Sequence, residues 1–228
     1  MNIAFIPARC NSKSIPFKNI KNFCGKPLVF WNIDALQKSK NVDKIFVATD
    51  CDEIRRIVNS FNFSKVEVYD RDPENADDFA STESVMLEFI YKNNFKNNDL
   101  FILVQATSPL TQTKDFDEAL QTMKYQNANS ILTCVRTKRF FWKSDCTSLN
   151  YDYKIRPRRQ DFDGIFMENG AFYINSIGNI KKDRNRLSSK VAIHVMEEFT
   201  SVEIDEEDDW SFAESLMQKH ILSKKIES

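Results

Sequence analysis

Short apolar runs recur along this chain with amphipathic stretches between them, and that alternation restricts the possible folds more than any other feature. Runs at 2–6, 44–49, 65–69, 100–105, 130–135, 170–175 and 191–196 read as strands. Strands alternating with helices favour a parallel-rich sheet covered on both faces. The helices show as stripes. Phe116, Ala119, Leu120 and Met123 recur at i, i+3, i+4 and i+7, the spacing of a helix packed on a sheet. Val29, Ile33 and Leu36 make a similar face after Pro27, a residue suited to a helix start. Trp210, Ala213 and Met217 predict a last helix with the acids at 206–209 in its first turn, where the helix dipole favours them.

Between 136 and 167 the alternation stops. TKRFFWKSD and KIRPRRQDFDG carry aromatic and basic residues without a period, and predict an excursion that covers an active site or pairs with another subunit. No Ser/Gly/Pro-rich linker, internal repeat or low-complexity tract divides the 228 residues, so one domain over 1–228 with an insertion at about 136–167 is the expected organisation.

Composition removes several function classes. There are 4 glycines, at 25, 164, 170 and 178, where average usage of roughly 7% would supply about sixteen. Neither G-x-G-x-x-G nor G-x-x-x-x-G-K-[ST] can be written with those positions, which argues against the usual dinucleotide and P-loop sites. Acidic and basic residues number 33 and 32, so no whole-molecule field attracts nucleic acid or anionic lipid, and any anion site must be local. The start MNIAFIPAR is too short in apolar residues for a signal peptide, and no apolar run is long enough to span a bilayer. A cytoplasmic protein without a membrane partner is expected. The 5 cysteines never fall in C-x-x-C spacing, which predicts free thiols rather than a disulfide framework or zinc site. His194, inside VAIHVM, reads as a strand residue.

Four segments concentrate polar chemistry. The first strand runs into PARCNSKSIPFKNI, with Arg9, Lys13 and Lys18 after a buried strand end; ligands of open α/β sheets bind there, and a triphosphate needs several cations. The fourth strand ends in QATSPL, where Gln105, Thr107 and Ser108 set an amide and two hydroxyls on the same rim, suited to a polyhydroxylated ligand and equally to an ordinary turn. RPRRQDFDG precedes ENGAFYI, and Arg159 has a guanidinium able to fork onto a carboxylate or phosphate. In SVEIDEEDDW, Glu203 and Asp205 share one face of an extended stretch, a pair suited to Mg²⁺.

In their order along the chain, PAR-x-NSK-x-IP-x-KN, Q-A-TSP, RPRRQD-x-DG with ENG-x-FY, and SVEID-x-x-x-DW closely resemble the acylneuraminate cytidylyltransferases, the CMP-sialic acid synthetases. The QATSP and RPRRQDFDG versions are closer to the animal-type enzymes than to many bacterial ones. The resemblance implies a three-layer α/β/α nucleotidyltransferase fold, Rossmann-like and of the nucleotide-diphospho-sugar transferase type, with a mostly parallel sheet. It implies a homodimer in which the insertion reaches the partner's site, and a reaction joining CTP to the anomeric hydroxyl of a nine-carbon 2-keto sugar acid. Mg²⁺ is the implied metal, with Mn²⁺ as the alternative.

Carried over by motif, Arg9, Asn11, Ser12, Lys13, Lys18 and Asn19 cradle the triphosphate, and Asp78, Ser81 and Thr82 face the cytidine. Gln105, Thr107, Ser108, Arg159, Asn169 and Tyr173 line the sugar pocket. Asp205 and Glu203 hold the metal, and Arg9, Lys13 and Asp205 carry the catalysis. The chain departs from the family pattern at Cys10, Asn11 and Ser14, where glycines are common, at Thr111 and Met167, where arginines often stand, and at Glu203, usually Asp. Legionaminic, pseudaminic, deaminated sialic or eight-carbon lipopolysaccharide acids are the alternative substrates, and a non-catalytic nucleotide-binding relative is the alternative class.

Overall fold

The computed structural model describes residues 1–10, 14–72, 75 and 81–223. In chain order the elements are β1 (Asn2–Pro7), β2 (Asn22–Phe23), β3 (Lys26–Pro27), α1 (Leu28–Lys38), β4 (Lys44–Thr49), α2 (Asp52–Ser60), β5 (Val66–Asp70), α3 (Thr82–Lys92), β6 (Leu100–Val104), α4 (Thr113–Tyr125), β7 (Ser130–Thr137), β8 (Ile165–Ser176), α5 (Ile177–Asp183), β9 (Val191–Met196) and α6 (Glu207–Met217). Seven strands form one sheet in the order β5-β4-β1-β6-β8-β7-β9. Only β8 opposes the others: it pairs antiparallel with β6 and β7, while every other contact in this sheet is parallel.

Residue alternation along the strands divides the core into two layers. Ala4 and Ile6, Ile45 and Val47, and Ile102 and Val104 face one side, under Ile33 and Leu36 of α1, Ile54 and Val58 of α2, and Phe116 and Ala119 of α4. Ile3 and Phe5, Phe46, and Phe101 and Leu103 face the other, under Met86, Phe89 and Ile90 of α3 and Ile177 and Ile180 of α5. Phe89 is the hub of that layer, with ring centroids 4.8 Å from both Phe5 and Phe46 and 4.9 Å from Tyr69. The expected three-layer, mostly parallel architecture is therefore present.

A third cluster binds α6 to the small β2–β3 hairpin through Phe23, Leu28, Ile204, Trp210 and Met217. Phe23 meets Trp210 edge-on at 5.6 Å, and Glu214 accepts a 2.8 Å hydrogen bond from the Cys24 amide. This packing holds the 203–205 segment beside β1.

Two expectations shift. The strand expected at 170–175 extends back to Ile165, because its first half, with Phe166, Met167 and Glu168 exposed, lacks the apolar run that marks a covered strand. Cys10 and Cys51 form a disulfide across 41 residues, with Cα atoms 5.1 Å apart, so the expected free thiols are Cys24, Cys134 and Cys146 only. Sheet pairing sets the ends of β1 and β4 side by side, and that proximity is invisible in cysteine spacing. His194 is a buried strand residue, as its apolar surroundings indicate.

Candidate active site

The carboxyl ends of β1 and β6 open onto a cleft of about 440 Å³ lined by Pro7, Arg9, Lys18, Asn19, Arg71, Ser81, Thr82, Val85, Gln105, Ala106, Thr107, Glu203 and Asp205. Such edges gather ligands because loops leave the sheet in different directions there. Nine residues picked out in the sequence meet in this cleft: Arg9, Lys18, Asn19, Ser81, Thr82, Gln105, Thr107, Glu203 and Asp205.

Its cationic wall is built from the segment after β1. The Asn19 amide donates to the Arg9 carbonyl at 3.0 Å, closing the loop on itself. Lys18 reaches across to donate to the Ile204 carbonyl at 2.8 Å and to Asp205 Oδ1 at 3.3 Å. Its side chain is only 12% exposed, so the ammonium is anchored rather than swinging in solvent.

The acidic wall is the 203–205 segment. The Ile204 amide donates to the Thr107 carbonyl at 3.0 Å, and the Thr107 hydroxyl donates to Glu203 Oε1 at 3.1 Å. Although Glu203 is exposed as a residue, partial desolvation of its carboxyl and the neighbouring charge of Asp205 push its pKa up. Asp209 Oδ2 accepts from the Asp205 and Glu206 amides at 3.0 and 2.8 Å, and those bonds hold its pKa down. Of the acids at 206–209, Asp209 thus caps α6 and supports the backbone of Asp205. Two neighbouring carboxylates of this kind fit a hard divalent cation, which takes one or two carboxylates and completes its shell with phosphate oxygens and water.

Arg71 joins the cationic wall without any sequence signal, since YDRDPEN reads as a solvated charged turn. Desolvation lowers its pKa, and its Nε has no hydrogen-bond partner among the described residues. A buried guanidinium edge of this kind favours an anionic ligand.

Other residues picked from the sequence lie off the cleft wall. Ser108 is 2% exposed, and Asn169 turns inward to donate to the Thr200 carbonyl and hydroxyl at 3.3 Å each. Tyr173 is buried with its hydroxyl donating to Glu168, and burial pushes its pKa up to about 12. Arg159 sits on an exposed turn of the insertion, its carbonyl accepting from Lys138 at 3.3 Å. Asn11, Ser12, Lys13 and Asp78 fall outside the described residues.

A family model described as cytidylyltransferase matches residues 3–228. N-acylneuraminate cytidylyltransferase of Oncorhynchus mykiss is 37% identical over 92% of this chain and 49% of its own length. The Danio rerio protein named N-acylneuraminate cytidylyltransferase B is 36% identical over 92% of this chain and 50% of its own. A Streptococcus agalactiae protein named N-acylneuraminate cytidylyltransferase is 29% identical over 91% and 51%. The chain thus spans about half the length of the curated relatives it matches. Among solved structures, CMP:2-keto-3-deoxy-manno-octonic acid synthetase complexed with CTP superposes with a TM-score of 0.70 at 16% identity, covering 96% of this chain and 99% of that one. A 4-diphosphocytidyl-2C-methyl-D-erythritol synthase from Anaerococcus prevotii gives 0.67 at 13% identity, covering 96% of each.

Proposed function

The chain belongs to the cytidylyltransferase family, and from that premise we propose that it joins CTP to the anomeric hydroxyl of an N-acylneuraminate, giving the CMP-sugar, pyrophosphate and a proton. One observation carries the reading: three cations, Arg9, Lys18 and Arg71, line the same cleft at the strand ends as the acid pair Glu203 and Asp205. A triphosphate needs the first set, and the metal that accompanies it needs the second.

The anomeric oxygen attacks the α-phosphorus while the bond to the β-phosphate breaks, so negative charge grows on the departing pyrophosphate. Arg9, Lys18 and Arg71 offset that charge, and Asn11, Ser12, Lys13 and Asn19 complete the phosphate loop. Positioning and electrostatics of this kind supply most of the acceleration in phosphoryl transfer. Ser81 and Thr82, with Asp78, hold the cytidine side. Gln105 and Thr107, beside Ser108, orient the sugar acid. Glu203 and Asp205 would hold Mg²⁺, which when bound adds Lewis-acid stabilisation of phosphate charge.

The insertion is the proposed dimer contact. Trp142, Tyr153 and Ile155 are 51%, 56% and 78% exposed there, an apolar surface suited to a second copy of the chain. Arg159 on this segment then serves the partner's cleft, and Asn169 and Tyr173 support the pocket from behind.

The test is direct. Asp205→Ala abolishes pyrophosphate release at ordinary Mg²⁺ levels, and near-normal turnover would refute the metal role. Arg9→Ala loses activity chiefly through KM for CTP; an unchanged dependence on CTP concentration would refute the phosphate role.

A further inference from the structure

Helix α3 presents Ser81, Thr82 and Val85 to the cleft but is secured by side chains that do not line it. One fastening holds its middle. Glu88 accepts from the Tyr69 hydroxyl at 2.7 Å, the Asp72 amide at 3.0 Å and the Asn75 side chain at 2.7 Å, tying the helix to the loop that carries Arg71. The other holds its first turn. Arg186, in the connection between α5 and β9, donates from Nε to Glu83 Oε1 at 2.6 Å, and its guanidinium lies 4.8 Å from the Tyr173 ring centroid.

This second fastening is built to be stiff. The Arg186 and Glu83 side chains are 22% and 26% exposed, and the bond to Arg186 holds the Glu83 pKa down. The Arg186 carbonyl accepts from Asn175 at 3.2 Å, and Asn175 also donates to the Ser188 hydroxyl at 2.9 Å, so the arginine stands on a strand-anchored base. Tyr173, beneath the guanidinium, is held through its hydroxyl by Glu168 on the same strand, β8. The chain Glu168–Tyr173–Arg186–Glu83 therefore runs from β8 to the residue that follows Thr82. Within the first turn of α3, the Ser81 hydroxyl accepts from the Ser84 amide at 3.0 Å, so a shift of Glu83 moves Ser81 and Thr82 with it.

We propose that Arg186 is a positioning residue for the nucleotide: through Glu83 it fixes the first turn of α3, and hence Ser81 and Thr82, against the sheet. The inference rests on the assignment of that half of the cleft to CTP. It concerns a residue that touches neither substrate, so its signature is selective. Arg186→Met keeps the aliphatic stem over Tyr173 and removes the ion pair. Charge-assisted, partly buried bonds of this kind weaken a dependent equilibrium by about tenfold when lost.

The experiment measures CTP binding by calorimetry, KM for each substrate and the thermal midpoint, for the wild type, Arg186→Met, Arg186→Lys and Glu83→Gln. Expected for Arg186→Met and Glu83→Gln are CTP affinity weakened by about tenfold, KM for the sugar acid within about twofold, and partial recovery in Arg186→Lys. CTP affinity unchanged in the Met and Gln variants, equal losses for both substrates, or a fall in thermal midpoint with kcat alone reduced would overturn the positioning role. Arg186→Lys keeps the test decisive if the Met variant fails to fold, since a lysine retains the charge but loses the stacked fork. Failure of the functional reading looks different: a wild type that binds CTP yet transfers nothing to any sugar acid, in which case CTP binding by the variants still decides the inference. A wild type that does not bind CTP overturns both.

Discussion

Substituting two glycines that share a left-handed backbone should cost very different amounts. Gly164 and Gly170 have φ of +77° and +65°, a region that costs a residue with a Cβ roughly 1–2 kcal/mol. At Gly170 a new Cβ would stand 3.4 Å from Glu203 Oε2, an ordinary contact, so Gly170→Ala carries the backbone cost and little else. At Gly164 the Cβ would lie 2.3 Å from the Thr137 carbonyl oxygen and 3.0 Å from its carbon. Backbone must then move where β7 and β8 begin to pair at Thr137 and Ile165. Overpacking of that kind adds about 1–3 kcal/mol, giving a total near 2–5 kcal/mol for Gly164→Ala. For a chain of this size each kcal/mol lowers the melting midpoint by about 2–4 °C, so at the middle of that range, about 3 °C, calorimetry should show losses of roughly 3–6 °C at Gly170 and 6–15 °C at Gly164. Equal losses, or the larger one at Gly170, would refute the reasoning.

Two further outcomes follow from the same structure. Because Glu203 has its pKa raised above the ordinary 4.5, its ionisation opposes folding as pH rises from about that value through the higher one. Glu203→Gln, measured without nucleotide or divalent cation, should gain thermal stability over the wild type across that window and hold the gain at higher pH; a difference independent of pH would contradict the origin of the shift. At the insertion, Ile155→Asp should convert the proposed dimer to a monomer in light scattering while moving the melting midpoint little, since Ile155 is 78% exposed within one copy. An unchanged mass would place the interface elsewhere.

Apolar runs made the sheet readable: β4 coincides with the run at 44–49 because both its faces are covered, and β9 with that at 191–196 because Ala192, His194 and Met196 are buried in turn along the sheet's edge strand. The N-terminal half of β8 was not readable, since it projects Phe166, Met167 and Glu168 into the open and so carries no burial pattern. The same division runs through the cleft. Gln105 follows β6 directly and Arg9 stands two residues past β1, while Lys18, Glu203 and Asp205 lie further from a strand end, in segments whose charges stand out in the sequence. Arg71 sits one residue past β5, in a turn whose charges look solvated until α3 closes over it through Glu88. Asn169 and Tyr173 belong to motifs that sequence places in the pocket, but β8 turns Asn169 toward Thr200 and Tyr173 toward Arg186. Neither side chain is part of the cleft lining in this structure.

Glycine scarcity takes on a definite meaning in this setting. The segment after β1 binds its own turn through Asn19 and reaches the acidic wall through Lys18. On the proposed function, side chains there would take the part that backbone amides play in a glycine-rich phosphate loop.

On the proposed function, this cleft transfers a cytidylyl group to a sugar acid. Incubating the protein with Mg²⁺, N-acetylneuraminate and CTP labelled at its α-phosphate, then separating the products, tests it most directly. The label is expected to move into a CMP-sugar, with one pyrophosphate released per sugar consumed. Label remaining in CTP with N-acetylneuraminate and with every other sugar acid in a panel would contradict it.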